Sequence, residues 1–173
     1  MVITNREELA VFRKEIMANA KKAMEELKRN AEALTAVRFF GLIKFEKIGK
    51  DPITGKPLNL IEQINQMYSD LVVLTGIADL LEKFPKKQFQ LNMGSASGYD
   101  IASTDGQVVA ECFAVTSVTS NDKFNKDCKK LMKASAEYKF LYFYTYSDSD
   151  KVIENRVAKY PQIHITRVDS FEE

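Results

Sequence analysis

Gly98-Tyr-Asp-Ile-Ala-Ser-Thr-Asp-Gly-Gln-Val-Val-Ala-Glu-Cys-Phe-Ala114 is the stretch on which the reading of the fold turns. Two apolar-rich runs joined by Asp105-Gly106 read as a hairpin with a two-residue type I′ turn, closed by Thr104 and Gln107. Counting outward from the turn, 102 faces 109, 101 faces 110 and 100 faces 111. Directly opposed residues of an antiparallel pair project to one face with Cβ atoms roughly 4.5–5.5 Å apart, so this register makes Asp100 and Glu111 neighbours. Like charges placed opposite each other destabilise a sheet unless they are neutralised, and a hard divalent cation is the usual agent. A three-residue loop with a bulge would instead set Asp100 opposite Ala110 and turn the acids to different faces. Asp100 is then an edge or turn residue and Glu111 a solvent-facing strand residue; both registers stay open at this level.

The rest of the composition narrows the classes. A chain of 173 residues with 45% hydrophobic content is long enough for one domain with a core, or one domain plus a helical extension. The net charge of +1 does not announce nucleic-acid binding. The local basic concentrations are Lys86-Lys87 and the series Lys123, Lys126, Lys129, Lys130 and Lys133. Cys112 and Cys128 form no CxxC and have no histidine cluster nearby, which fits buried free thiols in a reducing compartment and disfavours zinc. The single histidine, His164, lies in the alternating run Gln162-Ile-His-Ile-Thr166 and reads as an ordinary strand position, so Ser-His-Asp and Cys-His catalysis have little to stand on. No glycine-rich phosphate loop or nucleophile motif occurs. The charged N-terminus does not read as a signal peptide, and Leu71 to Ala78, the most apolar window, is far short of the roughly 20 residues a membrane helix needs. The expectation is a soluble cytoplasmic protein without a membrane partner.

Periodicity supplies the elements. Asn5 and Glu8 match a capping box, and apolar residues recur at Leu9, Phe12, Ile16, Ala20, Ala23, Leu27, Ala31 and Leu34, predicting one long amphipathic helix over 5–36. Such a helix spans about 45 Å and either lies across its own domain or packs partly against a second subunit, a homodimer. Val37 to Phe45 is ambiguous between helix and strand, and Gly49 to Pro57 reads as a loop. A helix returns from Leu58 to Phe84, with Gly76 a weak point and Glu62 in its first turns. Phe89, Leu91 and Met93 alternate as a strand, then come the 94–98 loop and the hairpin. A helix over 121–135 carries the stripe Phe124, Cys128, Leu131 and Met132. Tyr138 to Thr145 reads as a strand covered on both faces. A short helix over 149–159 and a strand over 163–168 complete an α/β arrangement around a mixed sheet. The chain divides into residues 1–57, a long helix and linker extension, and residues 58–173, an α/β domain.

With Gly98-Tyr99-Asp100, with Ala110-Glu111-Cys112-Phe113 eleven residues later, and with the order helix, three strands, helix, strand over 58–146, the chain resembles the PD-(D/E)xK superfamily. The resemblance implies a restriction-endonuclease-like mixed β-sheet flanked by helices. It implies that Asp100 and Glu111 bind Mg²⁺ or Mn²⁺, with Glu62 as an auxiliary acid from the preceding helix. The implied activity is metal-assisted phosphodiester hydrolysis by a DNA endonuclease of restriction, repair or mobile-element type. The family's lysine stands two residues after the second acid, where this chain has Phe113. Some members supply it from the following helix, and Lys123, about 100° from the buried stripe, is the expected substitute, with Lys126 second. The alternative is a catalytically degenerate module that kept the fold for nucleic-acid binding or protein assembly.

Overall fold

The computed structural model describes residues 2–51, 54–92 and 98–171. It is a mixed α/β structure whose six-stranded sheet is flanked by helices. The elements in chain order are β1 (Val2–Ile3), α1 (Arg6–Ala33), α2 (Ala36–Phe45), β2 (Gly49–Lys50), β3 (Pro57–Leu58), α3 (Leu60–Lys83), β4 (Phe89–Leu91), β5 (Ile101–Ser103), β6 (Val108–Val115), α4 (Lys123–Met132), β7 (Tyr138–Thr145), α5 (Asp150–Val157) and β8 (His164–Arg167). The sheet order is β1-β4-β5-β6-β7-β8. Strands β1, β4, β5 and β6 pair antiparallel in succession. Helices α4 and α5 are the crossovers that make β6, β7 and β8 parallel.

Strands β6 and β7 are interior strands of this sheet, and their residues are apolar on both faces. Val108, Ala110, Cys112, Phe140 and Tyr142 join the core under α1 and α3, while Val109, Phe113, Leu141 and Phe143 join the core under α4 and α5. Alternation therefore sends Glu111, between Val109 and Phe113, toward the α4 face. The helix predicted over 5–36 ends at Ala33, with Asn5 capping the amide of Glu8. Val37 to Phe45 resolves as helix α2, and the predicted loop 49–57 contains the two-stranded β2–β3 pair. The residues before 58 are tied into the sheet domain, since β1 pairs with β4 and Leu9 and Ile16 of α1 are core residues. Met93 and most of the 94–98 loop fall outside the described residues.

The hairpin corrects the turn and keeps the register. Asn121 and Asp122 are the only non-glycine residues with positive φ among those described, so Asp105 is not in the left-handed conformation that type I′ demands. The amide of Gly106 donates to the carbonyl of Ser103, which centres the turn on Thr104-Asp105 and leaves Gly106, at φ +72°, to absorb the reversal. The Asp105 carboxylate accepts from Ser103 Oγ at 2.6 Å and from the Gln107 amide at 3.1 Å, which holds the turn without a second left-handed residue. Ile101 pairs with Ala110 and Ala102 with Val109, as the two-residue register required.

Gly76 does not interrupt α3; it lets β7 approach. A Cβ built there would lie 2.8 Å from Cδ2 of Tyr142, a fully buried ring whose hydroxyl donates to Asp79 at 2.5 Å. Gly76→Ala should therefore destabilise by about 1–3 kcal/mol through overpacking, despite alanine's better helix propensity. Urea denaturation reads the loss. In Tyr142→Leu the same substitution should cost little, and an equal cost in both backgrounds would remove the steric account.

Candidate functional site

Strand β5 ends at Ile101, so beyond that point the edge of β6 facing it has no strand partner. Asp100 fills the first vacant position: its Oδ2 accepts the amide of Cys112 at 2.7 Å. Glu111 is next to that amide and is only 2% exposed. The Asp100 charge acts on Glu111 and raises the cost of ionising it. Burial pushes Asp100 up, against the pull of the Cys112 amide and of Lys123 and Lys130. Burial and then the Asp100 charge push Glu111 up to about 7, against Lys130.

Helix α4 supplies the cations. The Lys130 ammonium lies 2.6 Å from Glu111 Oε1, donates to the carbonyl of Gly98 and sits 5.2 Å from the Tyr99 ring centroid. Lys123 pairs with Asp127 at 2.9 Å and stands 6.0 Å from the Phe113 ring centroid. Burial opposes the Lys123 charge, yet Asp127, Asp100 and Glu111 together raise its pKa. Asp127 is itself buried, and burial outweighs its lysine contacts and pushes it up. Lys123 enters α4 directly after two left-handed residues, Asn121 (φ 52°) and Asp122 (φ 54°). Asparagine and aspartate adopt this conformation more readily than most residues, and it turns the chain sharply into the helix.

Two expectations change. Glu62 takes no part in this cluster: it is exposed, and its carboxylate accepts the amide of Asn59 at 3.0 Å while Asn59 accepts the amide of Glu62. That capping box starts α3 and commits the side chain to the helix end. Lys126 is exposed and donates to the carbonyl of Asn121. The lysine against Glu111 is Lys130. Its signal is in the sequence, since 123 and 130 are seven residues apart and Asp127 is four from the first, which puts all three on one helix face. The acid that α3 brings toward the site is Asp70, 1% exposed, with Asp100 among the charges acting on it. A carboxylate amid Met67, Leu71 and Leu74, on the packed face of an amphipathic helix, is the sequence mark of this position.

Asp70 Oδ1 accepts from Gln66 Nε2 at 2.7 Å, and its buried Oδ2 has no hydrogen-bond partner. Burial pushes this carboxyl up to about 7. Fully ionised, Asp70, Asp100, Glu111 and Asp127 set four negative charges against the two of Lys123 and Lys130. Two carboxylate charges are left over in a poorly solvated place, the electrostatic condition a divalent cation relieves. Among the described residues no three His, Cys, Asp or Glu side chains converge as a ready-made metal cage.

His164 is an exposed strand residue stacked on Phe140, and Cys112 and Cys128 are buried free thiols, all as expected. No helix among the described residues is long and apolar enough to cross a membrane.

A folded-state pKa for Asp70 of about 7, above its ordinary 3.8, has a definite sign. The folded chain binds more protons than the unfolded one between those values, so this contribution to stability is full below the lower value and is lost as pH rises through about 7. Asp70→Asn keeps the Gln66 bond and removes the charge. Its melting temperature should exceed that of the wild type at pH 8, with the difference shrinking as pH falls and vanishing only below about pH 4; a variant less stable than wild type at pH 8 would mean that the fold itself pairs the charge.

No protein-family model matches the chain, and neither does any curated protein sequence or solved structure.

Proposed function

We propose that the chain is a divalent-metal-dependent nuclease of restriction-endonuclease-like fold that hydrolyses phosphodiester bonds in DNA. The observation that carries this reading is the triad of Asp100, Glu111 and Lys130, a half-buried and a buried carboxylate with an ammonium 2.6 Å from the second. The element order supports it too: helix α3, the meander β4-β5-β6, crossover α4 and parallel β7.

Asp100 and Glu111 would hold Mg²⁺ or Mn²⁺, with Asp70 behind Asp100 as a further acceptor for a metal-bound water. Such an ion supplies a water acidic enough to attack at neutral pH and offsets charge building on the phosphate. The Gly98 carbonyl and the Tyr99 ring hold the Lys130 ammonium beside Glu111, from where it would stabilise a nonbridging phosphate oxygen as that oxygen gains charge. Lys123 keeps a second positive charge beside Phe113. The outer side of α4 adds Lys126, Lys129 and Lys133, all exposed, as sequence-independent contacts for the backbone of a long polyanion. Val11, Met17 and Met24 are exposed along α1, which is the surface a homodimer would use.

One observation favours the degenerate alternative: Phe113 is packed at 5.9 Å against Phe143, so the sheet position carries no cation at all. Cleavage of plasmid and single-stranded DNA in Mg²⁺, Mn²⁺ and EDTA separates the two. Wild type should cleave only with metal, Asp100→Asn and Glu111→Gln should abolish cleavage, and Lys130→Met should slow turnover on the order of 10²-fold. Asp100→Asn keeps an acceptor for the Cys112 amide, so folding is retained. Absence of cleavage, together with a melting temperature that Mn²⁺ does not raise in wild type, would establish the non-catalytic module.

A further inference from the structure

Helix α2 breaks the rule that an apolar helix is a covered one. Its sequence, Ala-Val-Arg-Phe-Phe-Gly-Leu-Ile-Lys-Phe, is interrupted only by Arg38 and Lys44, yet none of its 10 residues is buried. A helix that is hydrophobic all round ordinarily lies inside a core. Phe39, Leu42 and Ile43 are half-buried, and the helix packs against α1 and α3. Val37, Phe40 and Phe45 are 84%, 64% and 73% exposed. At 100° per residue these three share one arc of about 140°, with Gly41 and Lys44 inside it and Arg38 at its border. A Cβ added at Gly41 would meet open space, so nothing among the described residues lies over the middle of the arc.

The charge around the arc indicates what covers it. Over residues 36–50 the cations are Arg38, Lys44, Lys47 and Lys50, all exposed, against the single acid Glu46. The whole chain carries only +1, so the rest of it is net negative. The occupant is therefore anionic at its surface and apolar beneath. A second copy of the chain brings the same cations to the contact and would bury Lys44 in an apolar seam. The area is also short for a dimer: a helix face about 15 Å long and about 10 Å wide is far below the roughly 800 Å² per partner of a stable interface. A bilayer carrying anionic lipids meets both conditions. Phenylalanine and valine enter the acyl boundary, while lysine and arginine reach back to the phosphates on their aliphatic stems. At about half the hydrocarbon thickness, a helix of this length lies in the interface and does not cross it.

We propose that α2 is a membrane-surface anchor: it lies in the headgroup layer of an anionic bilayer, with Val37, Phe40 and Phe45 inserted and Arg38, Lys44, Lys47 and Lys50 on the lipid phosphates. The anchor is independent of the nuclease reading. Helices α1 and α3 cover the face of the sheet opposite α4, so a bilayer on α2 leaves the acids and lysines of the α4 face free.

The test is sedimentation of the full chain with vesicles of phosphatidylcholine alone and with vesicles containing about a third phosphatidylserine. Wild type should bind the anionic vesicles about tenfold or more tighter than the neutral ones. Phe40→Ser combined with Phe45→Ser should weaken that binding about tenfold or more at an unchanged melting temperature, since neither ring is buried. Lys44→Gln combined with Lys47→Gln should weaken it about fivefold per lysine. The chain has no tryptophan, so Phe45→Trp is a single reporter whose emission should shift to the blue and be quenched by lipids brominated on their acyl chains. Wild type that does not sediment with anionic vesicles, or that binds neutral vesicles equally well, overturns the anchor. Binding that the serine pair leaves intact, or an indole that stays unquenched on bound vesicles, assigns the contact to another surface such as the lysines of α4 and overturns it too. A concentration-dependent dimer that the serine pair dissolves would make a second copy the occupant instead.

Discussion

A carboxylate in the middle of a sheet covered on both faces is the constraint around which this molecule is arranged. Strand β6 is central because its other residues are apolar, and that centrality strips water from Glu111. Asp100, placed opposite by the hairpin, compounds the cost, and Asp70 and Asp127 bring two more buried acids from the helices on either side. Helix α4 answers with Lys123 and Lys130, one turn before and one turn after Asp127. An ion pair whose members lose hydration rarely repays its own desolvation, so a core of this shape would be more stable with apolar residues at these positions. The fold carries an electrostatic cost that folding alone does not explain, and this is the physical reason to read the cluster as functional.

The splaying of β5 from β6 is what turns that cost into a site. Had β5 continued past Ile101, the Cys112 amide would have had a backbone partner and Asp100 would have been a strand residue facing outward or inward by parity. Because β5 stops, the amide is capped by a side chain, and the gap admits Asp70 from α3 toward Asp100.

Much of this was legible in the sequence, for identifiable reasons. The register of the hairpin was readable because a period-2 pattern admits few alternatives, and it survives a wrong turn type since moving the turn centre to Thr104-Asp105 left the 101–110 pairing unchanged. The helices α3 and α4 and strand β7 follow from apolar spacing. Glu62 was misread because an acid in a first helical turn has two uses, capping and catalysis, and only Asn59 at the N-cap distinguishes them. Asp70 and Lys130 were passed over for opposite reasons. The first hides inside a run of apolar residues, where a charge reads as an interruption of the pattern. The second hides among five lysines of α4, where only the seven-residue spacing from Lys123 singles it out.

Phe113 occupies a strand position two residues beyond Glu111, and its packing explains why an aromatic ring stands there. Its ring stacks on Phe143 and meets Phe124 edge-on, so this position supplies the packing that seats α4 on the sheet. A lysine there would reach the acids but would remove the contact that fixes the helix. With phenylalanine in its place, α4 is held close enough for Lys130 to touch Glu111 and for Lys123 to lie over the Phe113 ring. The apolar ring on the strand and the lysines on the helix therefore depend on each other: Phe113 seats α4, and a seated α4 brings its cations to the acids.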